Sequence, residues 1–139
     1  MACRASLQLV LALTGVAMAQ QAAFAGESPA SGVWLVEKAK PSDDLTAPGT
    51  VWILSNSGIA FVREGKLVRQ TACTTHGLAQ GDTAYDCAGT NFVVSKPIKG
   101  AATVHGGQME VTLRQASPAD SARYRKLVSS DNAAARRSA

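Results

Sequence analysis

The chain is poor in the residues from which many functional sites are built. Of its 139 residues, two are histidine and three are cysteine, and neither histidine lies in a metal or hydrolase motif. No Gly-x-Ser-x-Gly elbow, no His-Glu-x-x-His pair and no phosphate-cradling glycine loop occurs. His76 has Asp82 and Asp86 near it in sequence, but a triad is defined by geometry, so no catalytic residue is assigned. Helical periodicity between extended segments is missing, which excludes a doubly wound α/β sheet. Aromatic residues make up only 5%, so Val, Leu, Ile, Ala and Thr must build most of the core. Charged residues are 17% and apolar residues 46%, a globular balance for one domain.

The most apolar stretch, Leu7–Ala19, is shorter than the roughly 20 residues of a transmembrane helix. It follows Arg4 and precedes two small-residue cleavage triplets, Ala17-Met18-Ala19 and Ala23-Phe24-Ala25. That is the pattern of a secretory signal peptide, residues 1–25, with cleavage after Ala25 or Ala19. The expected location is periplasmic or extracellular. Cys3 leaves with the signal, and the mature chain keeps Cys73 and Cys87. In an oxidising compartment that pair predicts a disulfide. Zinc held by Cys73, His76, Cys87 and His105 is the competing arrangement. No metal and no cofactor is expected.

Between Gly26 and Ser117 bases and acids cancel, and the net positive charge lies beyond Pro118, on Arg123, Arg125, Lys126, Arg136 and Arg137. A neutral body with an export signal argues against a nucleic-acid partner. The basic tail is expected to solubilise or to touch anionic surfaces.

After a loose leader over 26–31, short β-branched runs alternate with turn clusters. Runs begin at Gly32, Thr50, Ile59, Leu67, Thr83, Asn91, Lys99 and Met109, and the fourth is read as one strand from Leu67 to Thr75. Met109, Val111 and Leu113 alternate with Glu110, Thr112 and Arg114. About eight strands at this spacing predict an all-β fold, a small antiparallel up-and-down barrel over 32–116. Ser117-Pro118 then opens a short helix, about 117–128, with Tyr124, Leu127 and Val128 on one stripe. Residues 129–139 are expected to be a disordered basic tail.

Gly32-Val33-Trp34 opens the first strand, and Arg114 stands near the end of the last. Here the chain resembles the lipocalin-like (calycin) barrels, in which a Gly-x-Trp meets an arginine from the last strand. The resemblance would span 32–128 and implies that Gly32, Trp34 and Arg114 close the barrel, with the guanidinium stacked on the indole. Otherwise Trp34 is a plain core aromatic and Arg114 a surface base. Trp52, Phe61, Tyr85 and Phe92 form a second set, which either fills the interior or lines a ligand pocket. Ala60, Ala72, Ala84 and Ala102 are the small residues that would leave room there.

Function is therefore expected to be contact, without bond-making. The leading expectation is an exported, non-enzymatic partner of another exported protein, of inhibitor or immunity type, presented on a rigid disulfide-stapled barrel. The alternative is a lipocalin-like carrier of a small apolar ligand.

Overall fold

The computed structural model describes residues 27–138, so the signal peptide expected over 1–25 lies outside them. Alternating inward and outward residues, interrupted by turns, give nine strands: β1 (Gly32–Lys40), β2 (Val51–Ser55), β3 (Gly58–Arg63), β4 (Lys66–Ala72), β5 (Thr74–Gly77), β6 (Thr83–Cys87), β7 (Thr90–Val94), β8 (Ala101–Gly106) and β9 (Met109–Gln115). A helix, α1 (Pro118–Ser138), follows. The strands form one sheet in the order β4-β3-β2-β1-β9-β8-β7-β6-β5, all neighbours antiparallel. Two-residue turns such as Glu64-Gly65 and Ala88-Gly89 have positive φ at both positions, which matches the twist of antiparallel hairpins.

The two end strands of this sheet, β4 and β5, are consecutive in the chain and are separated by Cys73 alone. The expected strand Leu67–Thr75 is therefore present but bent. Its first half pairs with β3 and its second half with β6. That shared strand curls the sheet into a nearly closed barrel, and it accounts for nine strands where eight were expected. Cys73 and Cys87 are disulfide-bonded, their Cα atoms 4.2 Å apart. They stand one step beyond the Thr74↔Asp86 pair, so the bridge prolongs the β5–β6 ladder covalently.

The barrel has two apolar layers. Inside lie Trp34, Trp52, Leu54, Tyr85, Val104 and Leu113, with both cysteines at the edge of the cluster. Outside, Val33, Val51, Val62 and Ala116 form a second patch, covered by Tyr124 and Leu127 of α1. The unbroken apolar runs Val33-Trp34-Leu35-Val36 and Val51-Trp52-Ile53-Leu54 follow from this, because strands under the helix are covered on both faces. The backbone amide of Asp120 donates to Ser117 Oγ at 3.2 Å, and Pro118 and Asp120 occupy the first turn, as the cap pattern predicted. The helix does not stop near residue 128, however. It continues to Ser138 through segment 129–138, which had been expected to be disordered. Ala133–Ala135 supply good helix formers there, and no Gly or Pro interrupts.

Gly58 is fixed by close approach, since a Cβ there would stand 2.5 Å from the Thr71 carbonyl oxygen. Gly58→Ala must push β3 from β4, at a cost of roughly 1–3 kcal/mol, seen as a lower melting temperature. The Cys73→Ala/Cys87→Ala double variant should lose about 3 kcal/mol on denaturant titration. The denatured but unreduced chain from Gly26 onward should show no free thiol.

Candidate functional site

The two barrel ends differ. At one end the segment before β1 folds inward, with Ser28 and Ala30 buried. Trp34 Nε1 donates to the Ala30 carbonyl at 2.9 Å, and the Ser28 amide donates to Asn56 Oδ1 at 2.8 Å. From Ser28 onward the leader is thus a plug and is not loose. Gly32 and Trp34 sit at this closed end, where Gly32 has φ of +147°.

Arg114 does not join them. It pairs across the ladder with Leu35, and like Leu35 it faces away from the interior that Trp34 fills. The β1–β9 register shifts between Val36 and Lys38, a bulge at Glu37, and Arg114 Nε donates to Glu37 Oε2 at 2.6 Å on the exposed surface. The expected Trp34–Arg114 stack is therefore corrected to a surface ion pair. Parity also corrects the alanines. Ala102 is in the inner cluster, but Ala60, Ala72 and Ala84 alternate with the inward-facing Phe61, Thr71 and Tyr85 and lie on the outer face.

The aromatic set does come together. Trp52 meets Phe61 edge-on at 5.3 Å between ring centroids and Phe92 at 6.2 Å, and Tyr85 stacks on Phe92 at 5.1 Å. Trp52, Phe61 and Phe92 form one wall of a cavity of about 290 Å³ at the other barrel end. Tyr85 does not line it, being packed behind Phe92 with 1% of its surface exposed. Its hydroxyl has no hydrogen-bond partner among the described residues. Burial pushes the phenol up to about 12.

The cavity lies where β4 has no partner on the side facing away from β3. Its opposite walls come from Arg69 and Thr71 of β4 and from Cys87, Ala88 and Thr90 of the β6–β7 hairpin. A loop between β1 and β2 forms the rim. Asp43 Oδ1 accepts from the amides of Leu45 (2.8 Å) and Thr46 (3.0 Å), and Trp52 Nε1 donates to the Leu45 carbonyl at 2.7 Å. The Leu45 amide first, then the Thr46 hydroxyl and amide, hold the Asp43 carboxyl below its ordinary pKa against a partial offset from burial.

Arg69, Thr71, Asp43 and Leu45 were not singled out from sequence. A signal existed for two of them, because Arg69 and Thr71 have the parity of Cys73, whose half-bridge lies in the inner cluster. The zinc arrangement is not formed, since both thiols are consumed by the disulfide. His105 is exposed, with Nδ1 3.9 Å from Glu110 Oε2, and His76 is exposed on β5. Asp82 Oδ1 accepts from the Lys96 amide at 2.9 Å. Among the described residues no group of three or more His, Cys, Asp and Glu converges. No helix among them is long and apolar enough to cross a membrane.

Arg114→Ala should leave Trp34 emission unchanged and cost no more than about 1 kcal/mol, the range of exposed ion pairs. A shifted Trp34 spectrum would restore the stack. Asp43 has a depressed folded pKa, so its contribution is present above the unfolded value of about 3.9 and is lost as pH falls through the lower folded value. The Trp52 indole proton resonance should therefore move in that acid window and stay fixed in Asp43→Asn. Compared with known proteins, the chain matches no family model, and neither a curated protein nor a solved structure proves similar to it.

Proposed function

We propose that the protein is an exported, non-enzymatic binding module that takes a compact aromatic or apolar ligand into the mouth of its barrel. The observation that carries this is the 290 Å³ cavity walled by Trp52, Phe61 and Phe92, at the lower end of the roughly 300–1,000 Å³ of small-molecule sites. The barrel interior beyond the cavity is filled by Leu54, Trp34 and Tyr85 of the inner cluster, so the ligand is short. Disulfide and capped rim loop hold the walls in place before binding, which lowers the entropic cost of association. The lipocalin-like relationship belongs to this reading as a proposal, resting on Gly32-x-Trp34, the meander of strands and the C-terminal helix.

Engagement of another exported protein is the second reading. It is favoured by a broad basin beside the mouth, lined by Asp44, Arg63 and the 51%-exposed Val68, where a protein side chain could enter the cavity as an anchor.

Titration with 1-naphthol, a compact neutral aromatic, should shift the Trp52 indole resonance saturably. Thr71→Phe, which fills the mouth from an inward strand position, should abolish the shift while preserving the fold. No saturable shift, or one that Thr71→Phe leaves intact, would contradict ligand entry at this site. Export is checked by finding the protein outside the cytoplasm with its chain starting at Gly26 or Gln20.

A further inference from the structure

Arg69 has the inward parity of β4 and lines the cavity at its open edge, where it stays exposed to solvent. It lies directly across the β3–β4 ladder from Phe61, which itself lies across from Trp52. Residues opposed in this way share a face, so Trp52, Phe61 and Arg69 make one row running from the aromatic wall to the open seam. The ladder shifts register between Phe61 and Val62, leaving Val68 as the extra residue of a bulge. Bulges re-aim neighbouring side chains, and Arg69 is the next residue along.

The other charged residues lining the cavity and the basin beside it, Asp43, Asp44 and Arg63, are already engaged. Arg63 Nη1 stands 3.6 Å from Asp44 Oδ1 and donates to the Asp44 carbonyl at 3.3 Å. Asp43 Oδ1 serves the rim loop, accepting from two backbone amides. Among the described residues the Arg69 side chain makes no ion pair and no hydrogen bond. It therefore offers a planar fork of five N–H donors at the edge of an aromatic cavity. Thr71, the next inward residue of β4, adds a hydroxyl on the same side.

Resting on the binding role proposed above, we infer that the ligand is a compact arylalkyl carboxylate, its ring against Trp52 and Phe92 and its carboxylate on Arg69. The cavity volume and the filled interior beyond it admit a ring with a short chain. The free guanidinium selects the anion, because a bidentate charge-assisted pair forms only with a carboxylate and not with its amide. Specificity thus comes from β4, and affinity for the ring comes from β2 and β7.

The test is a matched pair, 4-phenylbutyrate and 4-phenylbutyramide, titrated by calorimetry against the wild-type chain from Gly26, Arg69→Gln and Arg63→Gln. The wild type should bind the carboxylate at least about tenfold more tightly than the amide, as expected of a hydrogen bond to a charged group. Arg69→Gln should remove that preference and leave amide binding unchanged, while Arg63→Gln should keep it. Equal binding of acid and amide, a preference that survives Arg69→Gln, or an equal loss in Arg63→Gln would overturn the carboxylate assignment and leave the mouth as a ligand site. Binding of neither compound would overturn both.

Discussion

One strand belongs to both edges of the sheet. Residues 66–72 pair with β3, residues 74–77 pair with β6, and Cys73 between them is bonded to Cys87. An antiparallel meander with two free edges would otherwise be open to pairing with other chains. Sharing one strand closes most of that gap, and the disulfide fixes the point where the second half of the zip begins. The first half has no partner on that side, and the cavity lies along it. Closure and opening therefore have one cause, the bend at Cys73.

Each feature of the mouth follows from that geometry. Because β4 is unpaired there, polar residues tolerate inward positions, where in a fully zipped barrel they would be desolvated. Arg69 and Thr71 take those positions. The β1–β2 loop crosses the same end and is tied to the core through Trp52 and the Leu45 carbonyl. The opposite end shows the contrary solution, with Ala30 and Trp34 buried and the indole satisfied by a backbone carbonyl. A barrel plugged at one end and unzipped at the other has one face for a ligand to enter.

Much of this was legible in the residues. Strands and turns were readable because β-branched runs alternate with X-Gly and Asn-Ser-Gly punctuation, and the disulfide because the chain from Gly26 onward holds two cysteines. The aromatic cluster was readable as a set. The number of its members facing the cavity was not, since Tyr85 and Phe92 share a face and only packing decides which lies behind. Arg114 shows how a family resemblance can override local pattern. The alternation of Met109, Val111 and Leu113 already turns Arg114 outward, and the Glu37 bulge supplies its partner. The helical tail was missed because 129–138 carries no apolar stripe, and helix propensity alone is a weak signal. Arg69 was missed because counting from the outward Leu67 turns it outward, and only the bulge at Val68 restores the inward parity that it shares with Cys73.

The central claim is that the unzipped seam is where this barrel meets its ligand. The most direct measurement is a two-dimensional NMR screen of the chain from Gly26 onward with a small library of ring-containing fragments. The account predicts that the hits perturb Trp52, Phe61, Arg69 and Phe92 together and leave α1 and the plugged end unmoved. Perturbations confined to α1 or to the outer sheet face would contradict it.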